Sequence, residues 1–295
     1  MDTLIHPGEV TNPRIISVVG NSFSVLRQLV PGRRYVDQLT DIVRDHGATS
    51  GIAEVFSGRF QVASYCVPTV GDGNKAVSYS DTRTTFDAEL IYGAATIGFR
   101  HGEPFVHSHC FWYDQMGTKL GGHIWPETIV GDPGLWAIVH IFDGIQLISA
   151  DDPETLMPVF TPYQETRNTM LAEAVEYPLT ETVVSRVLPN VDIAEAIVTT
   201  CREAGFESAT VRGGIGSLVG GTFKNRLSGE KFAVDGPGTE IIALIGHVTN
   251  ISTVPEFTLS CTMVDRHGVI HAGELVPGEN AVAVTFELVL QKTQS

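Results

Sequence analysis

The sequence predicts a mixed helix-and-strand fold made twice in one chain. Three observations point to it: one amphipathic helical pattern per half, each ended by a glycine; strand-like runs around each helix; and a set of residues that recur at a constant offset. At 295 residues the chain is long enough for two units, each burying its own core.

In chain order, a lead rich in Pro and Gly precedes a first strand expected near 23–29. YVDQLTDIVRDHG reads as a helix, because Val36, Leu39, Ile42 and Val43 share a face and Gly47 supplies a C-terminal stop. Strands are expected at GIAEVFSGRFQVASYCVP, TFDAELIYGAATIGF, the segment after RHGEP, and GLWAIVHIFDGIQLIS. The composition then shifts at DDPETLMPVFTPYQETRN, which reads as a linker with a short helical pattern. Beyond it a strand at ETVVSRVLP leads to the helix VDIAEAIVTTCREAG, with Ile193, Ile197 and Cys201 on one face and Gly205 as its stop. Strands follow at ESATVRGGIGSLVGGTFK, TEIIALIGHVTN, FTLSCTMVDRHGVIHAGEL and AVAVTFELVLQK. An offset of 151 places Cys110 on Cys261, Asp114 on Asp265, Gly117 on Gly268 and Gly122 on Gly273, which marks a duplication. The units expected are 14–150, a linker at 151–177, and 178–295.

The chemistry concentrates at FVHSHCFWYDQMGTKLGGH. Along a strand alternate side chains share a face, so His107 and His109 point the same way while Ser108, Cys110 and Trp112 face the other side. Asp114 and Gly117 turn the chain, and the return brings His123 toward the pair; glycines beside it allow another backbone or a ligand to come close. Three neutral imidazoles with an open fourth position suit zinc or another divalent transition metal. The duplicate lacks them: Thr258, Ser260 and Glu274 occupy the matching positions, and His267 and His271 lie elsewhere. Folding of this scaffold therefore does not require the triad, which shifts it from structure toward function.

Glu54, an acid in an apolar strand, is a candidate general base, and Arg59 a candidate anion contact. GGIGSLVGG lacks the Lys-Ser/Thr of a phosphate-binding loop and reads as a tight turn. Four scattered cysteines without a CxxC suggest buried free thiols. With 34 acidic and 19 basic residues the net charge is -15, which opposes direct binding to a nucleic-acid backbone. The N-terminus lacks a signal-peptide pattern and no apolar window approaches membrane-spanning length, so a soluble, cytoplasmic protein is expected.

The histidine stretch resembles the signature strand and hairpin of the plant and prokaryote conserved domain, also called DUF296. The HxH and GGH elements are His107, His109 and Gly121 to His123; DRHGVIHAGELVPG followed by VTFELVL is a weaker echo, and GGIGSL resembles the family's glycine-serine turn. At the corresponding place in the first copy, Ser57-Gly58-Arg59, an arginine replaces a small residue. The resemblance implies the α+β class, with a mainly antiparallel sheet and a packed helix in each of two tandem domains, and assembly as a homotrimer. It also implies a metal site at the three histidines, usually taken to hold zinc. Plant members carry a basic minor-groove motif that this chain does not have. The functions in view are a metal-dependent hydrolase or lyase acting on a small anionic metabolite, a DNA-associated regulator, and a non-catalytic small-molecule sensor.

Overall fold

The computed structural model describes residues 2–71, 73–166 and 178–293. The first half runs β1 (Ile15–Leu29), α1 (Tyr35–Asp45), β2 (Gly51–Cys66), β3 (Pro68–Val70), β4 (Val77–Tyr79), β5 (Arg83–Arg100), β6 (Glu103–Tyr113), β7 (Lys119–Ile124), β8 (Ile129–Asp143), β9 (Ile145–Asp151) and β10 (Pro158–Gln164). The second runs β11 (Thr180–Val187), α2 (Ile193–Ala204), β12 (Ala209–Val211), β13 (Ile215–Leu218), β14 (Gly221–Lys224), β15 (Lys231–Val234), β16 (Thr239–Thr249), β17 (Glu256–Val264), β18 (Ile270–Leu275) and β19 (Val282–Lys292).

Neighbouring strands follow one order in both halves. It is β1, β8, β2, β5, β6, β7 in the first and β11, β19, β12 with β13, β16, β17, β18 in the second. The equivalent first strands then pair antiparallel with each other, from Ile15 opposite Val187 to Ser22 opposite Thr180. That joint merges both halves into one 17-stranded sheet.

The α+β class is corrected by this architecture. The molecule is mostly β, with 59% of the described residues in strands and 8% in helices, arranged in a large mixed sheet. Two short helices, of 11 and 12 residues, are its α-helices among the described residues. The helical patterns are strong locally, but strands of up to 18 residues supply most of the buried surface. β10 occupies part of the stretch read as a linker, pairing with β9, and residues 167–177, which include the short helical pattern, lie outside the described residues.

Each helix covers one patch of sheet. Tyr35, Val36, Leu39 and Val43 of α1 join Val25, Val55, Val139 and Trp112 in one core; Ile193, Ile197 and Cys201 of α2 join Leu244, Phe286 and Leu290 in another. Gly47 and Gly205 both adopt φ of 70°, the left-handed conformation that ends a helix and that glycine reaches without a Cβ clash. Asp192 caps α2 by accepting from the backbone N–H groups of Ala194 and Glu195. The four cysteines are buried and unbridged.

The turn after β6 is repeated to the atom. Asp114 Oδ1 accepts from the N–H of Met116 and Thr118, and Asp265 Oδ1 accepts from the N–H of His267 and Val269. Each pair of positions is offset by the same 151 residues.

Candidate metal centre

Alternation along β6 sends Val106, Ser108 and Cys110 toward α1, where Ser108 lies 3.1 Å from the Tyr35 hydroxyl. His107 and His109 consequently face the opposite side, and there the second half packs: β16 crosses β5, β6 and β7. His123 arrives directly opposite His109 in the β6–β7 hairpin. It is held from behind by pairing with Cys66 of β2. Gly122 makes that pairing possible, since a Cβ there would lie 2.1 Å from the Cys66 carbonyl oxygen.

The three imidazoles converge. Ring centroids are 4.7 Å apart for His107 and His109, 5.1 Å for His107 and His123, and 5.4 Å for His109 and His123. One nitrogen from each ring lies within 4.8 Å of the others. His109 and His123 are 1% and 7% exposed. Tyr79 and Trp125 pack against the His123 ring, at 5.2 and 4.7 Å between centroids.

The second half supplies what the sequence reading missed. His109 Nδ1–H donates to the Ile241 carbonyl at 2.7 Å, and His107 Nδ1–H donates to Glu287 Oε1 at 2.9 Å. These partners engage both Nδ1 atoms and turn the two Nε2 atoms toward each other. Glu240 Oε1 lies 3.7 Å from His109 Nε2. Glu240 and Glu287 are each 3% exposed, and one oxygen of each, like His123 Nδ1, is buried without a hydrogen-bond partner among the described residues. A signal for them existed: each is an acid inside an apolar run, TEIIALIG and VTFELVL.

Burial first, and then the neighbouring His107, hold His109 and His123 well below the usual histidine pKa, so both are neutral ligand-type imidazoles near pH 7. Burial pushes Glu240 well above the usual carboxylate range, opposed by a hydrogen bond from the His123 backbone N–H. All five side chains border a cavity of about 50 Å³ that is also lined by Phe105, Phe160, Ser217 and Thr285. That is room for an ion and a small polar group.

Three imidazole nitrogens are donors that suit a divalent transition ion, and one pair already has the spacing. Two nitrogens bound to one tetrahedral zinc at ~2.0–2.1 Å lie about 3.3 Å apart, and His107 Nε2 and His109 Nε2 are 3.1 Å apart.

Glu54 and Arg59 lie elsewhere. Glu54 is buried against His140 and does not line the cavity, while Arg59 is exposed and pairs across from Glu89. In the second half Ser260 sits opposite Glu274 as His109 sits opposite His123, but Glu274 is engaged by Lys224 and Arg226, both at 3.3 Å. His271 bonds Asp265 and His267 is exposed, so neither rebuilds a cluster.

Fold and site together define a strand-dominated protein with a buried histidine triad that could hold a metal ion. Residues 175–294 match the model of the Plants and Prokaryotes Conserved (PCC) domain. The matched segment is the half that contributes Glu240, Ile241 and Glu287. No curated protein matches the chain. Among solved structures, a metal-containing protein of Archaeoglobus fulgidus is 15% identical, covering 54% of this chain and 99% of that one at a TM-score of 0.39. A plant- and prokaryote-conserved protein of Pyrococcus horikoshii is 17% identical over 54% and 100%, also at 0.39. A candidate DNA-binding protein of Ralstonia eutropha JMP134 is 23% identical over 46% and 88%, at 0.38. Likeness of this degree carries no argument about what the present chain binds. Among the described residues no helix is long and apolar enough to cross a membrane.

Proposed function

We propose that His107, His109 and His123 hold one divalent transition metal ion, zinc or a similar ion, and that the chain is a metal-dependent protein acting on a small metabolite. The observation that carries this reading is the convergence of three imidazoles on one cavity, with His107 Nε2 and His109 Nε2 facing each other at 3.1 Å in two rings whose Nδ1 atoms are already engaged. Two lone pairs at that distance repel unless a proton or a metal cation sits between them. His109 is held neutral by burial, which favours a metal ion over a proton in that place.

When bound, such an ion supplies Lewis-acid polarisation of a substrate oxygen. The chain's own residues do the rest. Glu287 orients His107, the Ile241 carbonyl orients His109, and Phe105 and Phe160 limit water entry. Glu240 faces the same cavity with one oxygen free to bind a substrate hydroxyl or amine. The cavity admits a functional group and not a duplex, and the net charge of -15 opposes direct contact with a phosphate backbone.

Metal analysis of the purified protein tests the reading, with His107→Ala and His109→Ala beside it. About one equivalent of metal is expected in the parent and close to none in either variant. A parent that takes up no zinc, cobalt or nickel on titration, or variants that retain it fully, would overturn the proposal.

A further inference from the structure

A second histidine cluster occupies the same face of the sheet, outside the cavity of the triad. Ser24 of β1 and His140 of β8 are direct cross-strand partners, and Glu54 of β2 stands two pairs further along, opposite Ile138. Ser24 Oγ lies 2.8 Å from His140 Nδ1, and His140 Nε2 lies 3.2 Å from Glu54 Oε1. His140 is 3% exposed and Glu54 is buried, whereas Ser24 is exposed.

The proton positions follow from the partners. Burial would raise the Glu54 carboxyl, but the hydrogen bond and charge of His140, with Arg212 at 3.9 Å, outweigh it and hold the group below the usual carboxylate range. An ionised carboxylate only accepts, so His140 Nε2–H donates to Glu54 and Nδ1 presents its lone pair to the Ser24 hydroxyl. A surface hydroxyl, an imidazole and a buried carboxylate thus stand in the order that activates a nucleophilic oxygen. Leu26 and Trp136, 54% and 39% exposed, share this face beside Ser24 and offer apolar surface.

We propose that Ser24 is a nucleophile, with His140 as its general base and Glu54 as the positioning residue, and that it accepts acyl groups from small activated esters with apolar acyl chains. In the forward step His140 Nδ1 takes the Oγ proton as the bond from Oγ to the carbonyl carbon forms. The ester C–O bond then breaks, and the departing alcohol oxygen takes that proton. Water, deprotonated by His140 in the same way, cleaves the acyl–Oγ bond, releases the carboxylic acid and returns the proton to Ser24.

The site is independent of the histidine triad, and its test needs no metal. The full chain is treated with a fluorophosphonate probe, whose P–F bond breaks as Oγ attacks, and is followed by intact mass and peptide mapping. One adduct on Ser24 is expected, lost in Ser24→Ala, a change at an exposed position whose melting temperature serves as the folding control. His140→Gln should label about 10²-fold more slowly or less. In Glu54→Gln the pH midpoint of labelling should move down, because Glu54 faces His140 directly and Arg212 acts on it through Glu54; a merely structural role would leave that midpoint in place. No adduct on the folded parent, an adduct that persists in Ser24→Ala, or undiminished labelling in a folded His140→Gln would overturn the proposal.

Discussion

Glu287 Oε1 accepts from His107 Nδ1–H at 2.9 Å across a separation of 180 residues, tying the half that lacks a histidine triad to the half that has one. The bond sets which nitrogen of His107 faces the cluster and holds its ring in place.

Glu287→Gln should therefore weaken metal binding without abolishing it. A loss of about 10- to 100-fold in affinity is expected, measured by competition with a chromogenic chelator, since the carboxylate orients a ligand and is not itself one. Unchanged affinity would show that the ring is oriented by its neighbours alone.

The metal-free protein should lose stability on acidification. His109 and His123 have depressed pKa values in the folded chain, by burial first. The unfolded chain consequently binds more protons just below about pH 6.5, and unfolding becomes easier as pH falls through that value toward the folded ones. Glu240, raised by burial, contributes in the opposite sense, losing its stabilising contribution as pH rises. The histidine contribution is thus read as the difference in melting temperature between the parent and His109→Gln from about pH 8 to about pH 5. A difference that does not change with pH would mean the imidazole is not held neutral.

The two aspartate turns offer a matched pair of stability tests. Asp114→Ala and Asp265→Ala each remove an oxygen that accepts from two backbone N–H groups, and by denaturant melt Asp114→Ala should cost about 1 kcal/mol and Asp265→Ala, which also strips His271 of its partner, roughly 1–3 kcal/mol. Only Asp114→Ala should also weaken metal binding, because its hairpin carries His109 and His123. Equal effects on metal binding would separate the hairpin from the site.

Gly122→Ala should be the most disruptive small change near the centre. A methyl group there would meet the Cys66 carbonyl at 2.1 Å, so β7 must move off β2 and carry His123 with it. Loss of metal binding and a stability cost of roughly 2 kcal/mol or more are expected. Gly229→Ala, at φ 72° in the turn between β14 and β15 with nothing near an added Cβ, should cost stability without the same loss of metal binding and gives the control.

Local chemistry made part of this protein legible from the residues alone. Strand alternation placed His107 and His109 together, Asp114 and Gly117 marked the turn that returns His123, Gly47 and Gly205 marked the helix ends, and the 151-residue offset marked the duplicate. These are short-range relationships, set by backbone periodicity and turn stereochemistry. Tertiary structure alone decided that β1 and β11 fuse the halves into one sheet, which makes the molecule mostly β, and that Glu240, Ile241 and Glu287 complete the triad from the far side. A carboxylate in an apolar strand announces that it will be buried beside a partner. Which partner depends on register and packing between strands distant in sequence, and no local pattern encodes that address.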